Sequence, residues 1–312
     1  MDTFEDVWRK VKLHVPLADA LLCQEWVQAS WRRLCDKRPW SWLRSENEII
    51  TNDQVTGTVD ITRSSATVTG VGLVFAASDV DRQFRVGTNQ PIYTITAVDL
   101  GLNTATLDRV YGGPTATATA GVVLDAYVTM PADFGRFLGV LDPQNGWQLR
   151  WWITEDELNL WDAQRSSTGT PWALVARRLA STTALDGRAQ YELWPYATAA
   201  KNYPFYYIRR PPALQDSSTF EGVLADRGDL IILAALAEAA EWPGLEDRKN
   251  PYFNLRLAEI KRKQLVEELA LLELRDEEVY MTWLETVSWI NRGRAPIDSR
   301  YLQSHDVPFA AG

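Results

Sequence analysis

The residues of this chain that could do chemistry are mostly carboxylates. Glu155–Glu157 form one acidic group, and Glu277 with Glu278 forms a second. Paired carboxylates are the groups with which glycosidases protonate a leaving group and activate a nucleophile. Trp151 and Trp152 precede the first group, and indole rings in that position could stack on a sugar. The sequence therefore leaves a carbohydrate-binding or carbohydrate-acting protein open as one hypothesis.

The same acidic triplet has a purely structural interpretation. Thr154 and Glu157 have the spacing of a capping box, in which each side chain bonds the backbone N–H of the other residue. Acidic residues are also favourable in the first turn of a helix. This pattern predicts a helix that begins at Thr154, and it is the stronger of the two interpretations.

Other catalytic or metal-binding patterns are scarce. The chain has two histidines and two cysteines, His14, His305, Cys23 and Cys35. They do not have the spacing of a catalytic triad, a Cys–His pair or a zinc site. Asp79, Asp81 and Asp99 could hold calcium only outside the usual ligand-loop spacing. We therefore expect no enzymatic activity, no metal and no cofactor.

Two basic stretches have alternative interpretations. Lys261–Lys263 lies between glutamates, which favours a solvated helix face over a DNA-binding patch. Arg209 and Arg210 precede Pro211-Pro212, and two prolines force an extended exit from a strand. These two arginines could pair with carboxylates of the same chain or of a neighbouring subunit.

Composition limits the class of protein. The net charge of −9 argues against a protein that grips nucleic acid, because phosphate binding needs clustered cations. The 14 tryptophans predict either interfaces or a tryptophan-rich core. The acidic, amphipathic N-terminus is unlike a signal peptide, and no apolar run is long enough for a membrane span. We expect a soluble protein made in a reducing cytoplasm.

Helical spacing dominates both ends of the chain. Apolar residues recur at steps of three and four over the first forty residues, which predicts two helices separated near Pro16. A further helix is predicted from about Asp226 to Pro243. The last helix carries a near-heptad seam that includes Leu265, Leu269, Leu272, Val279, Trp283, Val287 and Ile290. Asp276 falls on this seam, so we expect a break or bend there.

Residues 55–126 differ in amino-acid composition from the rest of the chain, because they are rich in Thr, Val, Ala and Gly and contain no lysine. Short β-prone segments alternate with Gly, Asn and Asp signals, which predicts a small β-sandwich or barrel. The fold class that follows is α+β, with a helical-bundle core built from both ends of the chain. In this scheme the segments are N-terminal helices (1–54), an inserted antiparallel β module (55–130), a mixed middle (131–225), C-terminal helices (226–291) and an extended tail (292–312).

The order of these features resembles the head-to-tail connector, or adaptor, proteins that dock under the portal of tailed bacteriophages. Three places carry the resemblance: the β module GTVDITRSSATVTGVG…QFRVG…IYTITAVD…TATLDRVYGG, the step MPADFGRF, and the aromatic stretch WPYATAAKNYPFYYIRRPPAL followed by the helix DLIILAALAEAAEW. Many adaptors are smaller, and the β module is the added part.

The resemblance implies a virion protein at the head–tail junction, made in the host bacterial cytoplasm. It implies a ring of twelve copies that binds the portal on one side and tail or nozzle proteins on the other. Double-stranded DNA would pass through the lumen without specific binding, and no membrane would be involved. The C-terminal segment would lie against the portal, with Arg292, Arg294, Arg300, Tyr301 and Phe309 as anchors. We assign Trp151, Trp152, Arg209 and Arg210 to a subunit or tail interface. Another phage structural component, such as a tail-tube, tail-fibre or head-decoration protein, is the alternative.

Overall fold

The computed structural model describes residues 2–87, 91–179, 187–225, 227–246 and 249–290, with the backbone alone at 178–179, 223 and 277–290. The helices in these ranges are α1 (Phe4–His14), α2 (Ala20–Asp36), α3 (Glu155–Asp162), α4 (Gly228–Glu241) and α5 (Leu255–Ile290). The strands are β1 (Arg44–Thr51), β2 (Val55–Ile61), β3 (Thr67–Gly70), β4 (Gln83–Val86), β5 (Ile92–Asp99), β6 (Thr104–Leu107), β7 (Ala116–Leu124), β8 (Tyr127–Thr129), β9 (Phe134–Asp142), β10 (Trp147–Gln148), β11 (Arg150–Ile153), β12 (Thr168–Gly169), β13 (Ala173–Leu179), β14 (Ala189–Trp194), β15 (Tyr196–Ala197) and β16 (Lys201–Arg209).

The chain divides into two compact units. One comprises the described parts of Met1–Arg44 and Pro211–Gly312, and it holds α1, α2, α4 and α5. The other is Ser45–Arg210, which holds the strands and α3. The predicted fold class, a helical-bundle core with a small β insert, is therefore wrong, because the molecule is mostly β.

In the helical unit, α4 contacts α1, α2 and α5 and is buried along most of its length. Its alanines let the neighbouring helices approach closely. Leu269 and Leu272 of α5 are buried, as the predicted seam requires, whereas the side chains of Val279, Trp283, Val287 and Ile290 lie outside the described residues.

α5 continues through Asp276 without the predicted break. The carboxylate of Asp276 is buried, but it accepts hydrogen bonds from Ser41 N at 3.1 Å and from Ser41 Oγ at 2.5 Å. A buried charge is tolerated when its oxygens have such partners. The acid therefore ties the α2–β1 connection to α5 instead of bending the helix.

In the β unit, strands β2–β7 form a closed barrel in the order β2-β3-β6-β5-β4-β7. Its interior is filled with side chains, among them Phe75, Phe84 and Tyr93. The barrel is inserted between β1 and β8.

The rest of the β unit holds a sandwich of two four-stranded sheets, together with α3 and a two-stranded sheet of β12 and β15. Sheet A has the order β1-β16-β9-β10, and sheet B has the order β11-β13-β14-β8. One aromatic-rich core lies between them, with Phe137 and Phe205 from sheet A and Leu174 and Leu193 from sheet B. A second apolar cluster joins α3 to sheet B through Leu158, Ile153 and Val175. The aromatic stretch singled out in the sequence begins at the last residue of β14 in sheet B and supplies β15 and then β16 of sheet A.

Candidate functional site

The two tryptophans of β11 point in different directions. Trp151 is partly buried with its ring centroid 6.2 Å from that of Phe137 in the sandwich core, whereas Trp152 is 63% exposed. Their rings meet edge to face, with centroids 5.1 Å apart and planes inclined by 79°. This pair therefore lacks the single flat surface that the carbohydrate hypothesis needs.

The acidic triplet has structural partners. Thr154 Oγ1 accepts a hydrogen bond from Glu157 N at 3.3 Å, and Glu157 Oε2 accepts one from Thr154 N at 3.0 Å. The predicted capping box is confirmed. Glu155 Oε1 accepts a hydrogen bond from Arg177 Nη1 at 2.5 Å. The carboxylates of Glu155 and Glu157 thus cap and anchor α3.

α3 presents two faces of opposite character. Leu158 is fully buried against sheet B, which fixes the helix in place. Leu160 is 85% exposed and Trp161 is 49% exposed. Asp156 and Glu157 lie one helical turn before these two residues, so they share the outward face. We call Asp156, Glu157, Leu160 and Trp161 the α3 face.

A cluster of three tryptophans supports this face. The ring centroid of Trp161 lies 5.7 Å from that of Trp172 and 5.8 Å from that of Trp194, and the latter two are 5.0 Å apart. The guanidinium of Arg150 sits 5.5 Å from the Trp172 ring centroid. Trp and Arg are the residues that most often carry binding energy at protein interfaces. Because the rings are already packed together, a partner would meet an ordered surface.

A buried ionic network holds the base of α3. Arg165, 1% exposed, donates from Nε to Glu192 Oε1 at 2.9 Å and from Nη1 to the Asp162 carbonyl at 2.6 Å. The Tyr196 hydroxyl donates to the same Glu192 oxygen at 2.8 Å. Burial raises the pKa of Tyr196, and the neighbouring Glu192 carboxylate raises it further. The tyrosine therefore stays a hydrogen-bond donor.

Asp162, the last residue of α3, is an acceptor for several groups. Burial acts to raise the pKa of its carboxyl group. Hydrogen bonds from Ser167 N, Ser166 N and the Trp194 indole outweigh it and lower the pKa to about 2. The Trp194 bond, 3.2 Å from Nε1 to Oδ2, connects this acid directly to the tryptophan cluster.

The high tryptophan content predicted either interfaces or a tryptophan-rich core, and the structure shows both buried and exposed tryptophans. Among the tryptophans whose side chains are described, Trp31 and Trp40 are fully buried, and Trp147, Trp152 and Trp161 are exposed. The others are all partly buried. Both the core and the interface interpretations therefore apply, to different residues.

The remaining predicted residues lie apart from α3. Arg209 ends β16 of sheet A, and Arg210 N donates to the Asp133 carbonyl at 2.6 Å. Asp133 also accepts a hydrogen bond from the Tyr207 hydroxyl at 3.0 Å. The predicted portal anchors Arg292, Arg294, Arg300, Tyr301 and Phe309 lie outside the described residues, as does His305.

Of the other predicted candidates, Asp79 and Asp99 have ordinary structural roles, and the side chains of Glu277 and Glu278 lie outside the described residues. Asp79 accepts hydrogen bonds from Ala76 N and Arg82, and Asp99 accepts from two backbone N–H groups of its own turn. No group of three or more metal-ligating side chains occurs among the described residues. In the basic run of α5, Arg262 pairs with Glu241 of α4 at 2.6 Å.

Sequence reasoning missed Leu160, Trp161, Arg165 and Glu192. One signal was available for Leu160: with Leu158 on the buried face of a helix, Leu160 falls 200° away and has to face outward. The Arg165–Glu192 pair had no local signal, because these residues are 27 positions apart.

Comparison with models of protein families identifies a family for this chain. The model of the family described as SU10 adaptor protein matches residues 95–282, more than half of the chain. The matched range includes α3, the tryptophan cluster and most of sheets A and B. No curated protein matches the sequence. Among the described residues, no helix is long and apolar enough to cross a membrane. The chain therefore belongs to the SU10 adaptor protein family and is a structural adaptor protein of a bacteriophage.

Proposed function

We propose that this chain is a non-enzymatic adaptor at the head–tail junction of a tailed phage. Copies of it form a ring, twelve in number to match the portal, that joins the portal to tail or nozzle proteins and continues the DNA channel. The observation that carries the proposal is the family match over residues 95–282. Trp161, which is 49% exposed and packed on the partly buried Trp172 and Trp194, supports it, because an adaptor has to offer ordered surfaces to other proteins.

Other features are consistent with a structural role. Of the acids that suggested glycoside chemistry, Glu157 caps α3 and Glu155 pairs with Arg177. The net charge of −9 would keep DNA from adhering if the negative charge faces the lumen. The segment 292–312, with its three arginines and two aromatic anchors, would wrap the portal at an ordering cost met on binding.

The direct test is to mix purified full-length chain with the portal protein of the same phage and to image the product by electron microscopy. The proposal expects a ring seated on one face of the portal. Fibres, trimers or decoration of the capsid surface would instead support one of the other phage structural roles.

A further inference from the structure

The α3 face combines apolar exposure with negative charge. Leu160 and Trp161 are 85% and 49% exposed, and Asp156 and Glu157 lie beside them on the same side of the helix. Together these four side chains form a small outward surface that is both apolar and acidic. The complementary surface would be aliphatic and positively charged.

The chain itself carries such a surface where α1 meets α2. Leu13 is 82% exposed, Leu17 38% and Leu21 68%. Arg9 and Lys10 lie one helical turn before Leu13, and Lys12 and His14 are in the last turn of α1. Between Arg9 and Leu21 the only acidic residue is Asp19. We call Arg9, Lys10, Leu13, Leu17 and Leu21 the α1–α2 corner.

Most of the charged groups on both surfaces have partners within the chain, but these partners lie at the protein surface. Arg9 pairs with Glu5 and Lys10 pairs with Asp2, and the side chains of Arg9 and Lys10 are 64% and 47% exposed, so each pair contributes little. On the α3 face, the Glu157 carboxylate accepts a hydrogen bond from the backbone N–H of Thr154, the N-cap of α3, and Asp156 is exposed. Each surface could therefore add an oppositely charged partner without first breaking a buried ion pair.

We propose that the α3 face of one copy docks on the α1–α2 corner of a second copy. Opposite charge selects the pairing and fixes its register, and the leucines with Trp161 supply the apolar contact. Because the two surfaces differ, the contact is head-to-tail, the kind from which rings are built. The inference deepens the proposed function, since it rests on self-assembly and names the surfaces responsible.

Cysteine cross-linking tests the contact directly, because the native Cys23 and Cys35 are both buried. A full-length chain that carries Leu13→Cys together with Leu160→Cys is oxidised and run on a non-reducing gel. The proposal expects a ladder of dimers, trimers and larger species. A mixture of the two single variants should give a dimer that contains one of each, and neither single variant should cross-link alone.

Charge exchange supplies a second, independent readout. Asp156→Lys and Arg9→Glu should each weaken self-association about tenfold in sedimentation velocity, equivalent to about 1.4 kcal/mol, and the double variant should recover most of it. Glu25→Lys, an exposed charge reversal on α2, serves as the matched control and should have little effect. Circular dichroism checks that every variant is folded.

Several outcomes would overturn the inference. One is a wild-type chain that oligomerises while the double-cysteine variant gives no ladder. Dimers from a single-cysteine variant alone would indicate a two-fold contact instead. A Leu160→Asp variant that self-associates normally but no longer binds portal would assign the α3 face to the portal. A chain that remains monomeric at every concentration also excludes the contact, whereas the adaptor role is decided separately by portal binding.

Discussion

Glu192 is a fully buried carboxylate that is shared by three side chains. Arg165 and Tyr196 bond one of its oxygens, and Arg177 lies 3.2 Å from the other. A buried charge of this kind costs desolvation energy, and its partners must offset that cost. The capping box at Thr154 was visible in the sequence because its two residues are three positions apart. The Glu192 network was not, because it depends on how β14 and the α3–β12 connection come together.

Replacing Glu192 should therefore lower the stability of the folded protein substantially. Glu192→Gln keeps the shape but leaves Arg165 buried without its counter-charge, and we expect the free energy of unfolding to fall by about 3–5 kcal/mol. Urea denaturation followed by tryptophan fluorescence measures this. Glu46→Gln, on the exposed surface of β1, is the control and should change the value by less than about 0.5 kcal/mol. A similar small change for both variants would mean that the network contributes no stability.

Because of Asp162, the free energy of unfolding of the β unit should decrease at acidic pH. Its pKa falls from 3.8 in the unfolded reference to about 2 in the folded protein. The resulting stabilisation, about 2 kcal/mol, is fully present above the unfolded pKa and is lost as the pH falls through the folded pKa. The stability difference between wild type and Asp162→Asn should thus shrink by about that amount between pH 5 and pH 2. A difference that stays constant over this range would contradict the assignment.

At the scale of elements, α3 shows how two leucines of one short helix can have opposite roles. Leu158 is buried against sheet B and Leu160 is exposed. The helix itself was predictable from its cap. The α1 and α2 stripes were predictable too, because helical periodicity is a local signal. The predicted break at Asp276 was wrong because the acid has a distant partner, Ser41, that the sequence pattern does not reveal.

The two leucines provide a matched pair of substitutions. Leu158→Ala should lower the free energy of unfolding by about 2–5 kcal/mol, because it leaves a cavity between α3 and sheet B. Leu160→Ala should leave the free energy of unfolding almost unchanged, since the side chain already faces solvent. Denaturant titration of both variants under the same conditions makes the comparison. An equal decrease in the free energy of unfolding for both variants would indicate that both side chains lie in the core.

At the scale of the whole molecule, the main error of sequence reasoning was the size of the β part. The barrel segments pair over short distances and were recognisable. Sheet A pairs β1 with β16, and sheet B pairs β8 with β14, strands far apart in sequence. Local alternation does not show such partners, so residues 131–225 could only be described as mixed. Their aromatic side chains fill a sandwich core instead of joining two halves of a helical bundle.

The segment 292–312 gives a prediction at this scale, independent of the fold of the described residues. Its deletion should leave far-UV circular dichroism and the unfolding midpoint unchanged but weaken attachment to the portal. Co-sedimentation of the shortened and full-length chains with portal protein compares them. Replacing Arg292, Arg294 and Arg300 together by Gln is the control for charge alone. Equal co-sedimentation of the shortened and full-length chains would remove this segment from the portal contact.

The measurement that tests the adaptor role most directly is electron microscopy of the full-length chain bound to the portal of its phage. We expect a closed ring on one face of the portal, coaxial with its channel and absent when either protein is omitted. Finding the chain as a fibre, as isolated capsid decoration, or unbound beside intact portals would contradict it.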